Sequence, residues 1–109
     1  MVKFEANKIN HSGQKQVEDW LVNNGFNNVV HNDIEVGGIK GIEANGNLEN
    51  ILVYVRAALL PDLPSKIKPD EKATIKEIAE KQERKAYVAY LVIGDDHLVV
   101  GEISWERLG

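Results

Sequence analysis

Ten residues near the middle of the chain, Ile51-Leu-Val-Tyr-Val-Arg-Ala-Ala-Leu-Leu60, form an apolar run with two polar interruptions, Tyr54 and Arg56. A strand that is apolar on both of its faces is typical of the centre of a sheet whose two sides are covered. We therefore predict that this run is the central strand. An arginine in such a strand is costly without a partner, so Arg56 must reach an acid, solvent in a cleft or a bound anion.

The residues before this strand predict a hairpin. Asn45-Gly46 separates residues 38–44 from the apolar run, and both residue types tolerate the positive φ of tight turns. We therefore expect residues 38–44 to pair antiparallel with the central strand.

The length of the turn leaves the register of this hairpin open. A two-residue turn places Glu35 opposite Arg56, so that these two charges pair across the strands. A loop extended to Asn50 brings Lys40 opposite Tyr54 instead.

Two helices are predicted on either side of the strands. The first runs from Ser12, a capping residue, to about Asn24, with Gly25 as its stop. The second begins near Pro69-Asp70, because proline and early acids suit a helix N-terminus. The predicted buried positions are Val17, Trp20, Leu21 and Asn24 in the first helix, and Ile75, Ile78, Ala79 and Gln82 in the second. The remaining predicted strands span residues 26–32, 86–93 and 98–103.

The composition indicates a single soluble domain over residues 1–109, with 43% apolar and 28% charged residues. The absence of cysteine excludes disulfides, thiolate metal sites and a cysteine nucleophile. His11, His31 and His97 are too far apart to suggest a metal site. No apolar run approaches the ~20 residues of a membrane helix, and the N-terminus does not resemble a signal peptide. We therefore expect a cytoplasmic protein without a membrane partner.

The net charge of −4 argues against nucleic-acid binding through overall electrostatics. The charge is uneven, however, because residues 65–85 contain seven basic and five acidic residues. Lys66, Lys68 and Lys72 in this segment could contact phosphates, although a mixed-charge helix also fits a solvated face.

Several segments share the intervals of one known motif: Gly13-Gln14, Leu21, Gly25-Phe26, residues 38–46 and residues 52–56. In these segments the chain resembles the restriction-endonuclease-like superfamily with its PD-(D/E)xK motif. It most closely resembles small predicted endonucleases related to Holliday junction resolvases. The resemblance implies an α/β three-layer fold, in which a mixed four- or five-stranded sheet is flanked by two helices.

The resemblance places the family's helix glutamate at Gln14, its metal aspartate at Lys40, its second metal carboxylate at Tyr54 and its lysine at Arg56. All four positions have changed. Magnesium prefers hard anionic oxygens, which an amide, an ammonium and a protonated phenol do not supply. We therefore predict no metal and no cofactor. Arg56 could still stabilise a phosphate, but a guanidinium cannot act as a general base.

Glu18, Glu35 and Glu43 are candidates for relocated metal ligands. Glu18 shares a helix face with Gln14, and with Mg²⁺ or Mn²⁺ the three acids would restore metal-assisted phosphodiester hydrolysis. In an unbulged strand, the side chains at positions 40 and 43 point to opposite faces. This argues against Glu43 as a metal ligand in the cavity that position 40 faces. The plainer interpretation is that these are surface acids.

Three functions follow from the sequence. The leading one is a catalytically degenerate endonuclease-like domain that contacts DNA or another nucleic acid through Arg56, Lys40 and the lysines of residues 66–72. The second is a protein-interaction or regulatory module, with a protein partner or a second copy of the chain, which the acidic balance favours. The third is an active endonuclease with relocated carboxylates. We interpret Trp20 and Trp105 as packing residues at the edge of the core.

Overall fold

The computed structural model describes the backbone of residues 2–108 and the side chains of residues 8–108. It contains two helices and five strands. In chain order they are α1 (Val2–Asn23), β1 (Asn27–Val36), β2 (Ile39–Asn45), β3 (Asn50–Leu59), α2 (Pro69–Lys81), β4 (Lys85–Ile93) and β5 (Val99–Arg107).

The strands form one mixed sheet in the order β1-β2-β3-β4-β5. Neighbouring strands are antiparallel except β3 and β4, which run parallel because α2 carries the chain back between them. This arrangement confirms the α/β class and settles the number of strands as five. Within residues 2–108, neither helix is long and apolar enough to cross a bilayer.

The central position of β3 is also confirmed, because its alternating side chains belong to two separate cores. Ile51, Val53 and Val55 pack in the core that contains the buried side chains of α1. Leu52 and Tyr54 pack in the core that contains those of α2. The two helices therefore cover opposite faces of the sheet, as predicted.

Helix α1 begins before the predicted cap, so the prediction of Ser12 as the N-cap was wrong. Ser12 lies inside the helix, where its hydroxyl lies 2.9 Å from His97 Nδ1 and does not cap the backbone. The predicted stop is correct: Gly25 has a φ of +90°, and the Phe26 amide donates back to the Leu21 carbonyl.

The two helices bury fewer of the predicted positions than expected. Val17 and Leu21 are buried in α1, but Trp20 is 38% exposed and Asn24 lies beyond the helix. Ile75, Ile78 and Ala79 are buried in α2, whereas Gln82 is exposed because it is the residue that ends the helix.

The hairpin between β2 and β3 has a longer loop than a two-residue turn. Asn45 pairs with Asn50, and the Gly46 amide donates to the Glu49 carbonyl. Neither Asn45 nor Gly46 has the positive φ that the shorter turn requires. A Cβ on Gly46 would lie 2.7 Å from the Phe26 ring, so this glycine makes room for that ring. The prediction of a two-residue turn at Asn45-Gly46 was therefore wrong.

Replacing Leu21 with alanine should lower the free energy of unfolding by about 2 to 5 kcal/mol, because Leu21 is fully buried between α1 and the sheet. The adjacent Val22 is 60% exposed, so Val22→Ala is the matched control and should change stability by less than about 0.5 kcal/mol. Urea denaturation measures both. Equal losses in the two variants would contradict the assigned packing face of α1.

Candidate functional site

The four positions that the resemblance aligns with the nuclease motif lie on two faces of the sheet. Gln14 and Lys40 are on the α1 side, where the Gln14 side-chain amide donates to the Lys40 carbonyl at 3.0 Å. Tyr54 and Arg56 are on the α2 side, since Tyr54 packs in the α2 core and Arg56 contacts Glu71 of α2. The fold therefore brings these residues together as two pairs and not as one cluster.

The residue of β2 that faces Tyr54 is Gly41. Ile42 pairs with Val53, and a Cβ on Gly41 would lie 2.8 Å from the Tyr54 ring. The expectation that Lys40 lies opposite Tyr54 was wrong by one residue, and a shift of one residue moves a side chain to the other face. On the α2 side, the residues that lie together are therefore Gly41, Tyr54 and Arg56.

Tyr54 fills the space beside Gly41 and is almost completely buried. Its hydroxyl donates to the Ile34 carbonyl at 2.7 Å. Burial, with a smaller contribution from the nearby Glu43 carboxylate, raises the pKa of Tyr54 to about 12. At neutral pH this side chain is therefore a neutral donor, which cannot replace an anionic metal ligand.

Arg56 forms an ion pair with Glu71, whose carboxylate oxygens lie 3.3 and 3.5 Å from Nη2. The pairing of Arg56 with Glu35 predicted for the shorter turn was wrong, because Glu35 pairs with Lys40 in the β1–β2 ladder. Glu71 also accepts a bond from the Lys68 amide at the start of α2. Arg56 Nε is buried and lacks a hydrogen-bond partner among the described side chains.

The structure gathers three of the predicted phosphate-contacting lysines around the start of α2, on the same side as Arg56. Lys66 lies over the Tyr90 ring, 4.3 Å from its centroid. Lys72 donates to Glu106 at 2.7 Å, and this hydrogen bond raises the pKa of Lys72 and lowers the pKa of Glu106. Lys68 immediately precedes the helix and is exposed.

Lys40 lies apart from these residues. Its side chain is on the α1 side, with Nζ 3.8 Å from an Asp33 carboxylate oxygen. The five residues predicted to contact nucleic acid are therefore divided into a group of four near α2 and a single lysine on the other face.

The three candidate acids are also divided, because Glu18 and Glu35 lie on the α1 side and Glu43 lies on the α2 side. Glu18 contacts His31 at 3.0 Å on the α1 side. Glu43 is on the α2 side, where it accepts from Asn32 at 2.6 Å and pairs with Arg84 at 3.5 Å. Positions 40 and 43 do point to opposite faces, but Tyr54 lies on the face of Glu43, so the parity argument did not separate Glu43 from Tyr54.

The donor groups do not fit a divalent cation. Glycine and a neutral tyrosine occupy two of the positions, and the nearby carboxylates Glu43 and Glu71 are each paired with an arginine. Among the described residues, no group of three acids or histidines is close enough together to hold a metal ion.

A cleft of about 300 Å³ lies between α1 and the β1–β2 turn. Its lining includes Gln14, Lys40 and Glu35 together with two histidines, His11 and His31. Their spacing in the sequence gave no sign of this proximity, because the reversal of the chain between α1 and β1 brings His31 back alongside α1.

The sequence also gave no indication of the Ser12–His97 contact, since 85 residues separate the two. A hydroxyl beside an imidazole is the beginning of a nucleophile–base pair. Within residues 8–108, however, no carboxylate bonds the other ring nitrogen of His97, so the pair has no orienting acid.

Comparison of the chain with models of protein families and with curated proteins found no match to either. Its function is therefore argued from this geometry.

Replacing Tyr54 with phenylalanine tests the buried phenol through its pH dependence. The pKa of Tyr54 is about 12 in the folded chain and 10.0 ordinarily, so above pH 10 the phenol ionises more readily in the unfolded chain. The contribution of the neutral phenol to stability is therefore complete below pH 10 and is lost as the pH rises toward 12. The wild type should therefore lose more stability over this interval than Tyr54→Phe, by on the order of 2 kcal/mol. Urea denaturation at several alkaline pH values measures the difference. If the free energy of unfolding fell equally with pH in the two proteins, the raised pKa of Tyr54 would be contradicted.

Proposed function

We propose that this chain is a catalytically inactive restriction-endonuclease-like domain that binds nucleic acid through phosphate contacts beside α2. The order of elements supports the first part of the proposal. A helix, three antiparallel strands, a crossover helix and a parallel strand follow one another as the resemblance to the PD-(D/E)xK superfamily implies.

The chemistry of Gly41, Tyr54 and Arg56 supports the absence of catalysis. These side chains supply no anionic oxygen, and the Tyr54 ring occupies the space that a carboxylate pair would need. The same substitution that removes the ligands also fills the site. This domain therefore acts by binding and does not hydrolyse phosphodiesters.

The observation that carries the binding proposal is the incompletely bonded guanidinium of Arg56. Its Nε has no partner among the described side chains, and its bonds to Glu71 are long. Nε itself is buried, but the Arg56 side chain keeps 20% of its surface exposed, and a phosphate oxygen would accept from the guanidinium at that exposed part. The exposed Lys68 and the nearby Lys66 extend the same positive group along the start of α2.

Fluorescence anisotropy with junction, duplex and single-stranded oligonucleotides at low and moderate salt tests this binding. Affinity should fall as salt rises, by roughly one power of salt concentration per phosphate contact. Arg56→Gln should weaken binding roughly tenfold and reduce the salt slope by about one.

Lys40→Gln is the matched control, because Lys40 is a half-exposed cation on the opposite face. It should leave both the affinity and the salt slope unchanged. Thermal unfolding establishes that each variant is folded. Absence of wild-type binding at low salt, or equal losses for the two variants, would contradict the proposal.

Restoring the motif tests the inactive nuclease scaffold separately. We expect the triple variant Gly41→Asp, Tyr54→Glu, Arg56→Lys to bind Mn²⁺, because removal of the Tyr54 ring makes room beside position 41. At a metal concentration of 100 times Kd, the stabilisation should be about 2.7 kcal/mol. Calorimetric titration and Mn²⁺-dependent thermal unfolding measure binding and stabilisation.

The control for this variant places the aspartate at Lys40 and keeps the other two substitutions. Because Lys40 lies on the opposite face, the control should not gain Mn²⁺ binding. If Mn²⁺ neither binds nor stabilises the Gly41→Asp triple variant, or if it affects both variants equally, the proposed scaffold is wrong.

The second candidate is a protein-interaction module, and the cations that already have acidic partners favour it. Lys72 is bonded to Glu106 and Arg56 to Glu71, so two of the four cations near α2 already have acidic partners. A chain that binds no oligonucleotide but forms a symmetric dimer burying more than about 1,000 Å² would support this alternative. Sedimentation analysis and the structure of the dimer would show it.

A further inference from the structure

A recess at the C-terminal end of α1 lies away from Tyr54, Arg56 and the lysines near α2. It encloses about 190 Å³ and lies on the α1 side of the sheet. Its walls are formed mainly by Trp20, Phe26, Ile51, Tyr87 and Trp105, with Glu49 as the acidic residue. Two further clefts, of about 480 and 500 Å³, adjoin it through the shared residues Phe26 and Glu49 in one case and Trp20 and Trp105 in the other.

Three aromatic rings of the recess are arranged as a cluster. The centroids of Trp20 and Trp105 lie 4.9 Å apart with the rings tilted by 49°, and Tyr87 meets Trp105 edge to face at 6.4 Å. Trp105 packs at the edge of the α1 core, as predicted, whereas Trp20 is 38% exposed and contacts the Trp105 ring. The cluster is therefore accessible to a ligand.

The charged groups around this cluster are mostly acidic. Glu49 accepts a hydrogen bond from the Tyr87 hydroxyl at 2.5 Å, while Asp19 and Glu102 line the adjoining cleft. Arg107 is the basic group of this region and pairs with Glu49 at 3.4 Å. An anionic ligand would meet this excess of negative charge, whereas a cation would be attracted by it.

We propose that this recess binds a methylated ammonium group. Aromatic faces attract cations through their quadrupoles, and methyl groups let a cation enter an apolar space with a smaller loss of hydration. The chain contains one such contact already, since the guanidinium carbon of Arg107 lies 5.6 Å from the centroid of the Tyr87 ring. Glu49 shares its charge with Arg107 at the wall, and Asp19 and Glu102 add negative charge from the adjoining cleft.

The size of the recess fits this ligand class. A cavity of about 150 Å³ accommodates benzene, so 190 Å³ accommodates a compact group such as trimethylammonium. The same group occurs in free choline-type amines and on trimethylated lysine side chains. The adjoining clefts would accommodate the remainder of either ligand.

Two-dimensional ¹H–¹⁵N NMR tests the proposal directly, because the chain has two tryptophans and both lie in the recess. Choline should shift both indole N–H signals. Its neutral isostere 3,3-dimethylbutan-1-ol should shift them much less at the same concentration. A trimethyl-lysine peptide and its unmodified counterpart distinguish the two sources: tighter binding of the methylated peptide than of choline indicates a protein ligand, and the reverse order indicates a free amine.

Two variants locate the binding site. Trp20→Ala should weaken binding of the preferred ammonium ligand roughly tenfold, and its exposed position favours a folded product. Glu49→Gln should weaken binding severalfold while retaining the shape of the wall.

Glu106→Gln is the matched control, because Glu106 also accepts a tyrosine hydroxyl and pairs with a cation, but near α2. It should bind like the wild type. Unshifted indole signals with both choline and the methylated peptide would overturn the proposal. Equal binding of the neutral isostere, or equal effects of Glu49→Gln and Glu106→Gln, would also overturn it.

Discussion

The burial of both faces of β3 is the constraint on which the rest of the structure depends. Because alternate side chains of a strand point to opposite sides, Val53 and Val55 must pack under α1 while Leu52 and Tyr54 pack under α2. Arg56 follows the same alternation and therefore has to find its partner beside α2. The position of every polar group near the sheet centre is a consequence of this division.

The same division underlies the proposal of an inactive nuclease scaffold. The Tyr54 ring packs against Gly41, so the sheet buries apolar area at positions where the resemblance predicts metal ligands. Glu71 and Glu43, the acids that remain nearby, neutralise Arg56 and Arg84. In this arrangement the two carboxylates form ion pairs with separate arginines, so they do not converge on one position where a metal ion could bind.

Much of the fold could be predicted from local patterns, and the limits of that prediction have physical causes. The apolar run of β3 and the proline at the start of α2 identified these elements, because their signals lie in adjacent residues. The register between β2 and β3 could not be predicted, since it depends on Phe26 packing against Gly46 from another part of the chain. The candidate site was harder to predict than the fold. The need of Arg56 for a partner was correctly expected, but the identity of Glu71 as that partner depends on how α2 crosses the sheet between β3 and β4.

The parallel pairing of β3 with β4 has a consequence for how the chain folds. Each paired residue of β3 meets a residue 34 positions later, as Ile51 meets Lys85, whereas β1, β2 and β3 join through short turns. Because of the larger loop-closure entropy, β3 pairs with β4 along its second edge later than it pairs with β2. Until the crossover is complete, an apolar strand presents unpaired backbone groups, and intermolecular β-pairing would begin at that edge.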